Sequence, residues 1–600
     1  MAIVTASDIA VLQRAYARVQ AGDGAGGTAI LNQLPVSARG HPDALMVAAL
    51  AARASGDNAA ARPLFEAASR AAPGHPGIWN GYANLLDALG EADLAIAAYQ
   101  RALAIDPKSV ATWANLADAA IAAARWDTAD AALGQALALD PHDSRALAAR
   151  GRVEMGRERP DLAVKAYRIA LQIAPNDALT RHNLAVALRS QGGSDAALAV
   201  LGPPQRPESA VLRGHLLIDQ GQFDAAIDQF QAILAQNPAD LPALEALATL
   251  LPQLDRRVEA LTGYRNALDG APVALWQAAI AAAKGLGEPA TIIEWAQQAA
   301  KMHGHHPDWL LAEAGARSQL GDWSTAMALA TAAARDFAPS GATETTLAWL
   351  FLKAGAPQKA EQHALAATRL APLDQSPWAL LTLIWRLTDD PREAWLVDYD
   401  RFVIADEIET PPGWANLAQF LADLAETLGA RHQMLRAPAD QSLRGGTQTR
   451  GSLFATADPV LLALQNALIA TVEVGLAGLK PDASHPFLGR LTGKIAMAGS
   501  WSVRLAAQGF HISHIHHSGW LSSAFYVAVP PEIGAADSDA GKLLFGVPDA
   551  ALGLHLAPRR VVTPVPGRLA IFPSYIWHGT APFESAAARL TVAFDALPKA

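Results

Sequence analysis

The densest group of potential metal ligands is the segment HISHIHHSGW at residues 511–520, which holds four histidines within seven residues. If Ser513–His517 is extended, successive side chains alternate between two faces, so His514 and His516 point to the same face. Two imidazoles on one face can chelate a divalent metal ion. His511 and His517 have the opposite parity, which favours packing or surface roles for them.

A third ligand has to come from another segment, and His578 in IFPSYIWHGTAP is the candidate because it closes an apolar run before a predicted Gly-Thr turn. Eleven residues later Arg589 opens the run RLTVAF, with Thr591 on the same face of that predicted strand. Two or three ligands on one face of a metal leave its other face open. An arginine nearby offers a planar fork that binds a carboxylate with two hydrogen bonds.

The segments around these residues predict a β domain. Short runs rich in β-branched and aromatic residues, separated by Gly and Pro turns, are typical of an antiparallel barrel or sandwich; they are SWSVRLA, LSSAFYVAVP, KLLFGV, RLAIFP and RLTVAF. One amphipathic helix is predicted over 458–479. The glycine-rich loop 441–452 contains Arg444 and Gln448, which we expect to contact substrate. Arg504, on the SWSVRL strand, is a further candidate for lining the pocket.

The first two thirds of the chain is repetitive. Four prolines are each 34 residues apart, and a looser series follows: Pro73, Pro107, Pro141 and Pro175, then Pro207, Pro238, Pro272, Pro307, Pro339 and Pro372. Within units, Trp79, Ala95, Tyr99 and Ala102 recur as Trp113, Ala129, Leu133 and Ala136. This spacing resembles the tetratricopeptide repeat in about eleven units over roughly residues 5–400. The resemblance implies a solenoid with a concave groove for a protein or peptide partner.

Composition limits the alternatives. The net charge is −10 with 17% charged residues, so no basic stripe is available for nucleic acid. Cysteine is absent, which leaves histidine and carboxylate as metal ligands. The first residues lack the pattern of a secretory signal, and the apolar runs are short or interrupted by charges, so we expect a cytoplasmic protein without a membrane partner.

At residues 440–600 the sequence resembles the 2-oxoglutarate- and Fe(II)-dependent oxygenase family with a double-stranded β-helix fold. The resemblance rests on SWSVRL, the H-x-H pair, LSSAFYVAVP, AGKLLFG, the run that ends in WH at His578, and RLTVAFD. It implies metal binding by His514, His516 and His578, and anchoring of 2-oxoglutarate by Arg589. Apart from the resemblance, we expect Thr591 and Arg504 to line the cosubstrate pocket. Many such sites have a carboxylate at the second ligand position, whereas this chain has His516.

These observations predict a multidomain protein, with an all-α tetratricopeptide solenoid and trailing helices at 1–430 and a double-stranded β-helix (jelly-roll or cupin-like) domain at 440–600. The expected activity is that of a dioxygenase using Fe(II), 2-oxoglutarate and dioxygen to hydroxylate a protein or peptide held by the repeats. Two alternatives stay open at this point. Three histidines could hold zinc in a hydrolase, or the barrel could carry a structural metal within a non-catalytic repeat scaffold.

Overall fold

The computed structural model describes residues 5–204, 206–439, 441–456, 458–534 and 538–599. The chain forms two compact units, Met1–Ser209 and Ala210–Ala600. The first unit is a series of antiparallel helix pairs, with these bounds: α1 Ala6–Gln20, α2 Gly24–Leu31, α3 Pro42–Ala54, α4 Asn58–Ala71, α5 Pro76–Ala88, α6 Ala92–Ile105, α7 Val110–Ala122, α8 Trp126–Leu139, α9 Ser144–Gly156, α10 Pro160–Ile173, α11 Ala178–Ser190 and α12 Ser194–Leu201.

The 34-residue spacing reflects how each helix pair packs. In α6, the small residues Ala95 and Ala102 are buried together with Tyr99, so the helices approach closely and the ring fills the space between them. The helix ends at Ile105, two residues before Pro107, since proline cannot continue a helix. The predicted repeat architecture is therefore confirmed.

The second unit begins with further helix pairs and ends in a β domain. Its helices are α13 Pro207–Asp219 (which spans the division between the units), α14 Phe223–Gln236, α15 Leu241–Gln253, α16 Thr262–Ala267, α17 Val273–Gly285, α18 Pro289–His303, α19 Pro307–Gln319, α20 Trp323–Asp336, α21 Gly341–Lys353, α22 Pro357–Leu370, α23 Gln375–Leu387, α24 Arg392–Leu396, α25 Tyr399–Phe402, α26 Leu417–Gly429 and α27 Pro459–Ala477. The pairing is irregular at 254–271, where a 3₁₀ turn and the six-residue α16 replace a full helix. Pro207 and Pro307 begin helices here and do not end them.

Nine strands are present among the described residues: β1 Ile404–Glu407, β2 Leu443–Gln448, β3 Ile495–His511, β4 Leu521–Ala528, β5 Leu543–Phe545, β6 Arg560–Val562, β7 Arg568–Pro573, β8 His578–Thr580 and β9 Arg589–Pro598. They form an antiparallel six-stranded sheet in the order β1-β7-β4-β9-β3-β2 and a three-stranded sheet in the order β6-β5-β8. All five predicted strand segments are strands. The fold is the predicted double-stranded β-helix, a curled half-barrel.

The large sheet also includes a strand that lies before the domain boundary predicted at 430–440. Strand β1, at 404–407, is an edge strand of the large sheet and pairs with β7. One continuous hydrophobic core also runs from Ala348 in α21 through Trp385 in α23 to Ala596 in β9. The last repeat helices thus belong physically to the β domain, because they cover apolar surface that its sheet would otherwise expose to water.

The predicted helix over 458–479 is present as α27. Asp458 caps its first turn by accepting hydrogen bonds from two backbone N–H groups. Among the described residues, α27 alone is long and apolar enough to cross a membrane by length and composition, with a mean hydropathy of 1.8. In this structure one stripe of the helix lies in the core shared with the sheet: Leu461, Leu464, Leu468, Val472 and Leu476.

Candidate metal centre

The three predicted ligands meet where the two sheets face each other. His514 follows the end of β3, and its backbone pairs with that of His578 in β8 through two hydrogen bonds of 2.9 and 3.1 Å. Gly579 makes this approach possible, since a Cβ there would lie 3.0 Å from the carbonyl oxygen of His511. The Gly579–Thr580 pair therefore continues strand β8, and the predicted turn at these two residues is wrong.

One ligand atom from each of His514, His516 and His578 lies within 4.8 Å of the other two. In each ring the Nδ1 atom is already engaged. His514 Nδ1 donates to the carbonyl oxygen of Ile512 at 2.8 Å, and His578 Nδ1 donates to that of Ile576 at 2.9 Å. Because a carbonyl can only accept, these Nδ1 atoms carry the protons and the Nε2 atoms carry lone pairs.

His516 is oriented by a carboxylate. Its Nδ1 donates to Asp595 at 2.7 Å, and the Ser522 hydroxyl donates to the same carboxylate at 2.7 Å. A carboxylate behind a ligating imidazole fixes the ring and raises its basicity. Asp595 is a functional residue that the sequence reasoning missed, although it ends the quoted run RLTVAFD. Asp595 lies on the same face of β9 as Arg589, Thr591 and Ala593, because side chains two residues apart in a strand share a face. This alternation could have indicated that Asp595 faces the site.

The donor set fits a divalent metal ion. His514 Nε2 and His516 Nε2 lie 3.3 Å apart with their lone pairs directed at each other, an arrangement that a cation between them stabilises. Burial lowers the pKa of His514 to about 3, and the neighbouring His516 adds to the shift. Burial also lowers the pKa of His578 well below its usual value. Neutral imidazoles are the form that ligates a metal.

Arg589 is buried, with 3% of its surface exposed. Its Nη1 donates to the carbonyl oxygen of Gly541 at 2.7 Å and its Nη2 to the Thr580 hydroxyl at 3.2 Å, while Nε has no hydrogen-bond partner among the described residues. No described carboxylate lies within 4.0 Å of this guanidinium. Thr591 is buried beside it and pairs in register with Val503 and Tyr526. The structure thus places both residues on the inner face of the sheet.

The other predicted contacts are placed differently. Arg504 reaches the rim of the cleft, but it alternates with Val503 along β3 and belongs to the face that carries Ser502, whose hydroxyl contacts His432. Arg504 thus lines the cleft from the opposite face of β3 to Val503, and its role in binding a cosubstrate stays a prediction. Gln448 pairs with Val503 and lines the cleft. Arg444 also lines it, with its guanidinium donating to the carbonyls of Gln441 and Leu443.

The two remaining histidines of the segment have separate roles. His511 lies beside His514, with ring centroids 5.9 Å apart, and its Nδ1 is 3.0 Å from the Ser442 hydroxyl. His517 faces the last repeat helix pair, where its Nδ1 is 2.8 Å from the Ser376 hydroxyl. Neither residue belongs to the group of three convergent ligands.

A single cleft of about 1630 Å³ contains the three histidines and Arg589. One wall comes from the β domain and the loop before it. The other wall comes from the repeat helices, at the ends of α15 and α17, through Pro252, Asp255, Arg257, Ala281, Lys284 and Leu286. The loop is fastened to α15, because the Arg436 N–H donates to the carbonyl of Gln253 at 3.1 Å. The repeats therefore form part of the same cavity as the candidate metal centre.

Comparison with known proteins agrees with this architecture. Residues 499–595 match the family described as "Putative 2OG-Fe(II) oxygenase", and residues 46–110, 88–153 and 211–285 match tetratricopeptide-repeat families. The sequence matches none of the curated proteins.

Solved structures with similarity to parts of the chain include three bacterial proteins. They are Pseudomonas aeruginosa pilF (20% identity, 34% of this chain and 94% of that one, TM-score 0.29), a tetratricopeptide repeat protein from Parabacteroides merdae (18%, 38% and 92%, 0.32) and MamA from Desulfovibrio magneticus (16%, 26% and 90%, 0.26).

Strand pairing, the convergent imidazoles and the family match at 499–595 concern the same stretch of chain, which follows helix pairs with a 34-residue period. The chain therefore combines tetratricopeptide repeats with a C-terminal domain of the 2OG-Fe(II) oxygenase family.

Proposed function

We propose that this protein is a 2-oxoglutarate- and Fe(II)-dependent dioxygenase that hydroxylates a protein or peptide substrate. The observation that carries the proposal is the buried Arg589 guanidinium in the same cleft as the three histidines, with no carboxylate of the described residues paired with it. An isolated buried charge is unfavourable unless an anion accompanies it. A dicarboxylate cosubstrate supplies that anion at one end and metal-binding oxygens at the other.

In this proposal, different residues of the cleft bind the metal and the cosubstrate. His514, His516 and His578 would hold the iron on one side, and Arg589 would fix the far carboxylate of 2-oxoglutarate. When bound, the iron centre with 2-oxoglutarate and dioxygen supplies the oxidising power for hydroxylating a C–H bond. Apolar and aromatic side chains around the ligands limit the access of water. Trp501 stacks on His516 at 5.9 Å, and the Phe572 ring lies 4.5 Å from His578.

The alternatives leave features of the cleft without a purpose. A zinc hydrolase would use the three histidines and a metal-bound water, but it gives no role to the buried Arg589. A non-catalytic scaffold has no need for an open cleft beside the ligands, since structural metal sites are closed by a full set of protein ligands.

A macromolecular substrate is favoured by the composition of the cleft wall. The ends of α15 and α17 contribute to the cavity that holds the candidate metal centre, so a segment bound along these repeats would enter it directly. Lys284 is exposed there and lies close enough to His517 to lower the pKa of that imidazole, after burial and in opposition to Asp374. Repeat arrays of this kind offer extended surfaces for chain segments.

The decisive experiment is an anaerobic titration of the full chain, freed of metal, first with Fe(II) and then with 2-oxoglutarate. We expect a visible charge-transfer absorption band that needs both additions. Pyruvate is the matched control ligand, because it has the same 2-oxo acid group without the distal carboxylate that Arg589 would bind. The exposed His555 provides a control variant, His555→Ala, for the ligand variant His516→Ala.

The wild type and His555→Ala should give the band, and His516→Ala should not. The proposal fails if the wild type binds iron but develops no band with 2-oxoglutarate, or if it responds equally to pyruvate. It also fails if the protein retains zinc in preference to iron and hydrolyses its substrate without oxygen.

A further inference from the structure

Ser442 lies at the edge of the metal centre without being one of its ligands. Its hydroxyl oxygen is 3.2 Å from His514 Nε2, the atom that would bind the metal, and 3.0 Å from His511 Nδ1. Ser442 immediately precedes β2, and the backbone of Ile512 donates to its carbonyl at 3.0 Å, which holds it against the histidine segment. Both Ser442 and His511 line the cleft.

The direction of these hydrogen bonds follows from the neighbours. His514 Nδ1 donates to Ile512, so in the neutral ring Nε2 can only accept. The single Ser442 proton must therefore be donated to His514 Nε2. The Ser442 oxygen in turn accepts from His511 Nδ1–H, which leaves the His511 Nε2 lone pair without a hydrogen-bond partner among the described residues.

Metal binding would change this arrangement. Once a metal takes the lone pair of His514 Nε2, the Ser442 hydroxyl loses its acceptor. Its oxygen lies 3.2 Å from His514 Nε2, the atom that would bind the metal. It is therefore a free donor next to the coordination sphere. His511, which holds it, lies beside His514, with ring centroids 5.9 Å apart, and lines the same cleft as Arg589.

We propose that Ser442, held by His511, is a positioning residue that orients His514 while the site is metal-free and hydrogen-bonds the metal-proximal end of 2-oxoglutarate afterwards. The second part rests on the proposed function. Ser442 and His511 lie beside His514 and line the same cleft as Arg589, in which a dicarboxylate would bind. A hydroxyl donor there would contact the cosubstrate and leave the metal ligands unchanged.

This role predicts that Ser442→Ala affects two affinities differently, both measured by calorimetry on the full chain. Affinity for Mn²⁺, used as an oxygen-stable probe, should stay the same or rise by roughly two- to tenfold, because no hydrogen bond has to be broken. Affinity of the Mn²⁺-loaded protein for 2-oxoglutarate should fall by roughly tenfold or more, because a donor to a charged group is lost. Ser442→Thr keeps the hydroxyl and should therefore retain the wild-type affinity for 2-oxoglutarate.

Ser452→Ala is the matched control, since this serine lies ten positions further along, outside the cleft, with its hydroxyl 3.1 Å from that of Ser500. A third measurement needs no metal. In ¹⁵N-histidine-labelled protein, Ser442→Ala should shift one Nε2 resonance of a ring protonated on Nδ1, and Ser452→Ala should not.

A parallel loss of both affinities in Ser442→Ala would mean a purely structural role and would overturn the proposal. Unchanged 2-oxoglutarate affinity would do the same. If the wild type binds Mn²⁺ but no 2-oxoglutarate, the proposed function fails by itself, and the histidine resonance still decides whether Ser442 orients His514.

Discussion

The chemistry of the centre depends on where each imidazole proton lies. All three Nδ1 atoms have acceptors, two backbone carbonyls and the Asp595 carboxylate, which leaves the three Nε2 atoms as the candidate ligand atoms. Burial lowers the pKa of His514 and that of His578, which keeps these two rings neutral at ordinary pH. The three-histidine set lacks the carboxylate found in many related sites, and Asp595 compensates by placing a negative charge directly behind His516.

Replacing Asp595 tests this arrangement. Asp595→Asn keeps the size of the side chain but removes the charge that orients His516, so metal affinity should fall by roughly 10- to 100-fold. Equilibrium dialysis against Mn²⁺ measures the change, with Asp549→Asn, at the start of a 3₁₀ turn, as the control. Equal affinity in the wild type and Asp595→Asn would show that the carboxylate has no part in the metal site.

Arg589 should act on the cosubstrate alone. We expect Arg589→Ala to weaken 2-oxoglutarate binding by roughly 10- to 100-fold, because a charge-assisted bidentate contact is lost, while metal content stays unchanged. Arg589→Lys should recover only part of the affinity, since an ammonium group cannot reproduce the planar fork. Calorimetric titration of the metal-loaded variants with 2-oxoglutarate measures the change. An unchanged dissociation constant in Arg589→Ala would show that Arg589 does not bind the cosubstrate.

At the scale of elements, the last repeat helix supports both ligand segments. The Gln375 N–H at the start of α23 donates to the carbonyl of His517, next to the ligand His516, at 3.0 Å. One turn further along, the carbonyl of Ala379 accepts from the indole of Trp577, next to the ligand His578, at 2.9 Å. Helix α23 thus holds the two segments whose separation determines the ligand geometry.

Trp577→Phe should loosen this support. The change removes a buried hydrogen bond and part of a buried ring, so it should destabilise the protein by about 1–3 kcal/mol and also weaken metal binding. Trp79→Phe is the control, because Trp79 makes the same indole-to-carbonyl bond, at 2.9 Å to Pro73, in the first unit. Metal titration and thermal unfolding of both variants check the prediction, which is contradicted if the two variants bind metal equally well.

His432 gives the fold a specific pH dependence. It joins the segment after α26 to β2 and β3 through the hydroxyls of Thr447 and Ser502, and burial, followed by the charge of Arg504, lowers its pKa to about 4. In the unfolded chain the pKa is about 6.5. As the pH falls from about 6.5 to about 4, the unfolded state binds a proton that the folded state does not, so stability is lost.

The free energy of unfolding lost through His432 approaches about 3 kcal/mol near pH 4, because its pKa is about 4 in the folded state and about 6.5 in the unfolded state. His432→Gln should therefore lose less stability than the wild type between pH 7 and pH 4 in urea unfolding. Parallel curves for the two proteins would exclude His432 as a source of the acid sensitivity.

At the scale of the whole molecule, a single hydrophobic core includes residues of both the last repeat helices and the β domain. It extends from Ala348 to Ala596 and includes Leu381 and Trp385 of α23. A fragment of 440–600 would expose the sheet face that these side chains cover, whereas 210–600 keeps one compact unit intact.

We therefore expect fragment 210–600 to fold and to bind metal within about threefold of the full chain, and fragment 440–600 to aggregate or to bind weakly. Size-exclusion chromatography and Mn²⁺ titration compare the two fragments. A soluble 440–600 fragment with full metal affinity would show that the repeat helices are dispensable. If 210–600 binds metal but has lost turnover on a protein substrate, the first unit takes part in substrate recruitment.

The sequence by itself determined the features that repeat or alternate locally. These features are the 34-residue period, the five strand segments and the parity of His514 and His516. Each follows from the spacing of side chains along the chain, which repeats every 3.6 residues in a helix and every two residues in a strand. For the same reason, the family resemblance could be read from short runs such as SWSVRL and RLTVAFD.

Only the tertiary structure decided which distant residues complete the site. His516 and Asp595 are 79 positions apart, and Ser442 and His514 are 72 apart, so no local pattern links them. Strand register placed Arg504 on the opposite face of β3 from Val503, and one hydrophobic core joined the sheet to the last repeat helices. Both outcomes depend on which faces of the strands and helices pack together. That packing is determined only when the whole chain folds and buries its apolar surface.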